Sequence, residues 1–297
     1  MKIDLKTNQY LHELQEKIEK KLDELIPNQY PYSIYDAIRY STLGGGKRIR
    51  AILCIESCKL FGGNEDIVLP LACTIEIIHA QSLIHDDLPC MDDDDYRRGK
   101  PSTHKKFGEA HAVLAGDAMI PLAYEVFLNN TPDEVNNETK IRIIKEFSKT
   151  IGASGLVGGQ VVDVETEGTI VDTETLNYIH SNKTGALYRF SLRSGAILAN
   201  CNEKQLEIIS DFSKNIGLAF QISDDILDII GSKEKLGKTP GKDKASGKNT
   251  YPLIYGLENS IKELNCLRNK AINILNENNL NSNVLIDITN YIADRIK

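Results

Sequence analysis

Apolar residues in this chain recur at intervals of three and four rather than two. The spacing is clear in "YDAIRYSTLGGGKRIRAILCIESCKLF" and again from Ile67 to His85, and it predicts amphipathic helices. Glycines punctuate the pattern: Gly44–Gly46, Gly62–Gly63, Gly158–Gly159 and Gly231 sit where helices should begin or end, and no proline occurs between Pro132 and Pro240. No series of alternating β-branched runs is present to predict a sheet. The expected fold is all-α: one large bundle of roughly ten helices, with a central cavity lined by facing helices. One segment departs from the pattern. Residues 231–250, "GSKEKLGKTPGKDKASGKNT", hold six lysines and four glycines against two acids, which reads as a mobile, positively charged loop or a solvated connector.

A length of 297 residues leans by itself towards two domains, but no internal period or low-complexity linker divides the chain, so a single domain over residues 1–297 is expected. The formal charge of -7 argues against nonspecific nucleic-acid binding, which needs clustered Lys and Arg to displace counterions. No charge-free apolar run approaches the roughly 18 residues of a membrane helix. The N-terminus is amphipathic and charged, without the apolar core of a signal peptide, so a cytoplasmic location is expected. Cys54, Cys58, Cys73, Cys90, Cys201 and Cys266 form no CxxC pair. Cys54 and Cys58 stand one helical turn apart, as a metal or redox pair could, but buried inert thiols are the favoured reading.

Two acidic motifs carry the chemistry. In "HDDLPCMDDDDYRRGKPSTH", six aspartates fall within ten residues after a long apolar segment. Like charges about 5 Å apart repel by roughly 3 kcal/mol at an effective dielectric of 20, so the block is a solvated loop or a cation site. Asp86 and Asp92 are separated by about 240° on an ideal helix, so Pro89 between them is expected to break the helix and return Asp92 to Asp86. One turn upstream, His79, Ser82 and Asp86 share a stripe. The second motif is "QISDDILD", in which Asp224 and Asp228 project from one helical face beside Asp225, with Gln221 on the same side. Its flanks are apolar, and buried carboxylates need a partner. Carboxylate oxygens suit Mg²⁺, which takes one or two of them together with substrate phosphates and water.

If carboxylates hold Mg²⁺ and Mg²⁺ holds phosphate, cations should meet the remaining phosphate charge. Lys47 and Arg50 follow a triple glycine whose backbone N–H groups can face an anion at a helix start. Arg97 and Arg98 close the first acidic motif, Lys183 and Thr184 lie in "SNKTG", and Lys238 and Lys248 lie in the lysine-rich segment.

At these residues the sequence resembles the trans-prenyltransferases, the short-chain polyprenyl diphosphate synthases. "GGGKRIR", "DDLPCMDDDDYRRGKPSTH", "GGQVVD", "NKTG" and "QISDDILD" match that family in order and spacing, from about Tyr35 to Tyr255. The resemblance implies an all-α homodimer that condenses isopentenyl diphosphate with an allylic diphosphate. It implies Mg²⁺, about three ions per site, bound by Asp86, Asp92 and less directly Asp87 on one wall and by Asp224, Asp225 and Asp228 on the other. Lys47, Arg50, His79 and Arg98 would hold the diphosphate of isopentenyl diphosphate. Arg97, Lys183, Thr184, Gln221, Lys238 and Lys248 would hold that of the allylic substrate. Asp86, Asp92, Lys183 and Asp224 are the residues expected to carry the reaction. Chain length would be set by Gln81 and Ser82, four and five positions before the first aspartate. Gln81 stands where bacterial-type farnesyl diphosphate synthases commonly carry a tyrosine, a departure that keeps a C20 product, geranylgeranyl diphosphate, open; the resemblance implies a C15 product, farnesyl diphosphate, ahead of it.

Two rivals fit less well. The "HD" doublet His85–Asp86 occurs in α-helical phosphohydrolases, whose site would also need His79, His104 or His111, but it leaves "QISDDILD" and "GGGKRIR" unexplained. A non-catalytic Ca²⁺-binding role fails on the missing central glycine and terminal glutamate of an EF-hand loop. Arg295 and Lys297 read as a frayed tail, with reach into the site as the alternative.

Overall fold

The computed structural model describes residues 5–230 and 247–296. In chain order its helices are α1 (Leu5–Leu25), α2 (Tyr32–Thr42), α3 (Ile49–Leu60), α4 (Glu65–Asp86), α5 (Thr103–Phe107), α6 (Glu109–Asn130) and α7 (Asn137–Ile151). They continue with α8 (Leu156–Glu165), α9 (Thr173–Ile179), a π-helical turn (His180–Thr184), α10 (Gly185–Leu198), α11 (Glu203–Ile230), α12 (Tyr251–Tyr255), α13 (Leu257–Glu277) and α14 (Asn283–Asp294). Two short strands, β1 (Tyr96–Arg97) and β2 (Lys100–Pro101), pair antiparallel between α4 and α5. Periodicity had no power to predict them. The turn joining them carries positive φ at Arg98 (53°) and Gly99 (74°), the geometry of a tight hairpin turn.

The all-α expectation holds, and the bundle is arranged around α3, α4, α10 and α11. Every residue from Ala51 to Cys58 of α3 is buried, as are Leu187, Tyr188, Phe190 and Leu192 of α10. α1 lays Leu14, Ile18 and Leu22, one turn apart, onto this core. Asn64 caps α4, its side chain accepting from the Asp66 N–H at 2.8 Å, and the helix then runs through the bundle centre with Val68 to Ile78 buried without a break. By length and composition both α4 and α6 could cross a membrane, a possibility that counting charge-free runs had missed. In α4, 72% of the apolar window is buried inside the bundle, which makes it a core helix; in α6 the figure is 44%, and Val113, Leu114 and Leu128 face outward.

Cys54 and Cys58 are buried thiols, as expected, and so is Cys73, whereas Cys90 is exposed and Cys201 and Cys266 are half-buried. Burial pushes the Cys58 thiol up to about 12, so the buried groups remain protonated and inert. The tightest helix crossing lies beside Cys54. A Cβ on Gly195 of α10 would stand 2.2 Å from the Cys54 carbonyl oxygen of α3. Backbone cannot yield to such a group, so α3 approaches α10 this closely only because position 195 has no side chain. Gly195→Ala should therefore separate α3 from α10 and destabilise the protein by about 1–3 kcal/mol. Urea unfolding measures this; a midpoint equal to that of the parent protein would contradict it.

Candidate active site

α4 ends at Asp86, and the chain turns back at once: the Asp92 N–H donates to the Asp86 carbonyl at 2.9 Å. Pro89 sits in this return, as expected, and the carboxylates of Asp86 and Asp92 line one cavity of about 260 Å³. Leu83 and Met91 form its apolar wall on this side. Across the cavity α11 presents Asp224, Asp225 and Gln221. The residue after α4, Asp87, is turned elsewhere. It is buried, receives the Arg97 Nε–H at 3.0 Å and lies outside this cavity's lining.

The third wall is the π-helical turn with α8 packed on it. A Cβ on Gly159 would stand 2.3 Å from the Lys183 backbone nitrogen, so the glycine lets α8 lie directly against the turn. That approach sets Asp163 2.6 Å from the Lys183 ammonium, which faces the cavity. Lys248 enters from the far side and pairs with Asp92 at 2.7 Å. Burial alone would push the Lys183 ammonium down, but Asp86 and Asp163 hold it above its ordinary value. Burial raises the Asp86 carboxyl to about 6, partly offset by Lys183 and reinforced by Asp92. His180, beneath Asp225 at 3.6 Å, is driven by burial down to about 4 and is neutral at pH 7.

A second cavity of about 660 Å³ adjoins the first, sharing Leu83, Arg97 and Asp224 with it. Among the described residues six cations line it, Lys47, Arg48, Arg50, Arg97, Arg98 and Arg295, together with the His79 imidazole and the acids Glu76 and Asp224. Arg50 lies over the faces of Tyr188 (4.9 Å) and Phe220 (5.8 Å) and meets the His79 ring at 3.4 Å. Burial and the neighbouring Arg50 hold the His79 imidazole well below its ordinary value, so it contributes a neutral N–H rather than a charge. The β1–β2 hairpin sends adjacent arginines in opposite directions: Arg97 to Asp87 and Asp94, Arg98 to the Gly45 carbonyl.

Residues 31–288 match the polyprenyl synthetase family. The chain belongs to that family. A geranylgeranyl diphosphate synthase from Cyanophora paradoxa is 49% identical over 263 residues, 88% of this chain and 87% of the relative. A farnesyl/geranylfarnesyl diphosphate synthase from Zymomonas mobilis has the same fold, with a TM-score of 0.85, 33% identity, and coverage of 97% of this chain and 99% of that one. A geranyltransferase from Helicobacter pylori, solved with magnesium and isoprenyl diphosphate, gives a TM-score of 0.84 and 30% identity, covering 96% of each chain. As a polyprenyl synthetase, the protein is a prenyltransferase.

The structure places several of the expected residues away from the cavity assumed for them. Asp87 is not at the cavity, because it caps the C-terminus of α4 and its carboxylate is taken by Arg97. Asp228 is buried but lines neither cavity. Asp225 does line the first cavity, yet its carboxylate already accepts from the Gln221 amide and from the Tyr251 N–H, each at 2.8 Å. Thr184 opens into the second cavity and not the first, donating its hydroxyl to Gln221. Gln81 hydrogen-bonds the His85 ring at 3.1 Å, Ser82 donates to the His79 carbonyl at 3.0 Å, and neither lines either cavity. Lys238 and Lys297 lie outside the described residues.

Sequence reasoning missed Asp163 and held the reach of Arg295 into the site only as the alternative to a frayed tail. Arg295 is no frayed end: it lies over Phe220 at 4.2 Å, donates to the Phe220 carbonyl at 3.1 Å and pairs with Asp224. Asp163 stood in the quoted "GGQVVD" without a role, although an acid four residues after paired glycines was a usable signal. Lys47 is joined by Tyr291, from the same C-terminal helix.

The carboxylates fit Mg²⁺ in one particular way. Among the described residues, no three His, Cys, Asp or Glu side chains form a ready cation cage. Asp86 and Asp92 instead face Asp224 across a cavity flanked by Lys183 and Lys248, an arrangement suited to an ion that needs substrate oxygens to complete its shell. The raised Asp86 carboxyl sets a pH dependence. The folded protein holds a proton there between about pH 4 and pH 6 that the unfolded chain has released, so stability contributed at low pH is lost as the pH rises through 6. With chelator present, Asp86→Asn should melt higher than the parent protein at pH 8 and no higher at pH 4. Equal differences at both values would contradict this assignment.

Proposed function

We propose that the protein condenses isopentenyl diphosphate with an allylic diphosphate, seating the allylic diphosphate in the carboxylate-lined cavity and that of isopentenyl diphosphate in the cation-lined one. The carrying observation is the junction: Asp86 and Asp92 oppose Asp224 across one cavity, and Asp224 also borders the chamber of Lys47, Arg50 and Arg98. Two diphosphates seated this way lie side by side.

Mg²⁺ held by Asp86, Asp92 and Asp224, when bound, neutralises charge on the departing diphosphate. Lys183 and Lys248 flank the same place and stabilise the negative charge that develops as the allylic C1–O bond ionises. Leu83, Met91 and Ile179 keep the wall beside the cationic carbon apolar and exclude water, which would otherwise capture it. Lys47, Arg50 and Arg98 hold the second substrate so that its double bond attacks, without a protein nucleophile. Magnesium in the Helicobacter pylori geranyltransferase supports this choice of ion.

For the product we favour geranylgeranyl diphosphate, C20, over the farnesyl diphosphate that the resemblance implied. The support is the 49% identity to the Cyanophora paradoxa geranylgeranyl diphosphate synthase. Gln81 is also a modest side chain held back against His85, not a bulky ring in the path of a growing chain. We further propose that two copies associate through the outward apolar residues Val113, Leu114 and Leu128 of α6. Light scattering should return twice the 33.1 kDa chain mass, and a Leu114→Glu variant should move it towards one chain; a monomeric parent protein would overturn this.

Labelled isopentenyl diphosphate with each allylic starter, followed by chromatography of the dephosphorylated product, tests the reaction and its length together. C20 alcohol is expected, accumulation of C15 would restore the farnesyl reading, and no elongation would refute both. Asp86→Ala should lower kcat by at least ~10²–10³ at saturating Mg²⁺, as loss of an electrostatic stabiliser does. A near-normal rate would contradict the role given to Asp86.

A further inference from the structure

Glu76 is the only acid between Ile67 and His85, and it is buried in the bundle centre opposite Arg48. The Arg48 side chain is 0% exposed and that of Glu76 is 2% exposed, and the two together form part of the floor of the cation-lined cavity. Arg48 occupies the N-cap of α3 with φ 52° and gives that helix no side-chain cap. Glu76 supplies one from α4: its Oε1 accepts the Ala51 N–H at 3.2 Å, while its Oε2 accepts from Arg48 Nη1 at 3.3 Å. Arg48 Nη2 donates to the Thr42 carbonyl at 2.8 Å and so ties the end of α2 to the same point.

The consequence reaches the cavity through neighbours. Lys47 precedes Arg48, and Arg50 is two residues after it. On α4, His79 is one turn beyond Glu76, and it is His79 that Arg50 meets at 3.4 Å. The buried pair therefore fastens both partners of that contact. It also has an electrostatic duty, since a lone carboxylate at Glu76 would place negative charge under a chamber meant for an anion, and Arg48 cancels it.

We propose that Arg48 and Glu76 are positioning residues that set affinity for isopentenyl diphosphate, by clamping the start of α3 to α4 and by holding the floor of the cavity neutral. This rests on the assignment of the cation-lined cavity to that substrate. Steady-state kinetics of Arg48→Met, Glu76→Gln and the double variant test it, with Arg50→Ala as the control for the assignment and thermal melts to verify folding. Arg48→Met should raise KM for isopentenyl diphosphate at least ~tenfold while KM for the allylic substrate changes by less than about twofold. Adding Glu76→Gln should recover about threefold of that loss, because the uncompensated charge is gone. If Arg48→Met does not fold, Arg48→Lys carries the same test, with an expected rise of about threefold.

A fall in active fraction with both KM values unchanged would reduce the pair to a structural role and overturn the proposal. So would a double variant no better than Arg48→Met. A raised KM in Arg50→Ala without one in the pair variants would sink the pair but leave the cavity assignment standing. No change in Arg50→Ala would sink both.

Discussion

The arrangement of this protein is governed by repulsion among its own aspartates. Unit charges a few ångströms apart inside a bundle oppose one another by several kcal/mol, far more than in water. The structure resolves this by separation and by counter-charge. Asp86 and Asp92 stand on one wall and Asp224 on another; Lys248 meets Asp92 and Arg295 meets Asp224 from distant parts of the chain, while the nearer Arg97 and Lys183 meet Asp87 and Asp163. These contacts tie the hairpin, the π turn, the segment before α12 and the C-terminal helix to a single chamber. Charge balance thus organises much of the fold around the site.

Under the proposed function, the same balance would suit the site to a diphosphate. Lys183 and Lys248 are held by carboxylates, at places where a phosphate and its metal would alter the pairing. A ligand bearing anionic oxygen and divalent cation can take over both halves of each pair, leaving neither an acid nor a base unmatched. Burial raises Asp86 to about 6 and depresses His79, so both are poised to respond to a charged neighbour. The π-helical turn belongs to this logic, because such turns interrupt regular helix where a side chain must be aimed, here Lys183.

Periodicity made the helices legible and spacing made the two acidic motifs legible, since both are local properties of the chain. The return of Asp92 to Asp86 could be read from Pro89 for the same reason. What failed was long-range. Arg295 looked like a loose end because nothing near it in sequence announces Asp224, 71 residues earlier. Asp87 was expected at the metal, less directly than Asp86, because adjacency conceals that one is the last residue of α4 and the other its cap. Thr184, which the resemblance gave to the allylic diphosphate, lines the second cavity from the π-helical turn of residues 180–184. Product length was the least legible, because it depends on the depth between helices and not on the identity of Gln81 alone.

The central claim is that opposed carboxylates grip the metal only with a diphosphate between them, since the described residues form no cage by themselves. Calorimetric titration of Mg²⁺ into the protein, first alone and then with inorganic diphosphate present, tests it most directly. Weak binding alone and at least ~tenfold tighter binding with diphosphate, abolished by Asp224→Ala, is the predicted result. Tight Mg²⁺ binding without diphosphate, or binding indifferent to Asp224, would contradict it.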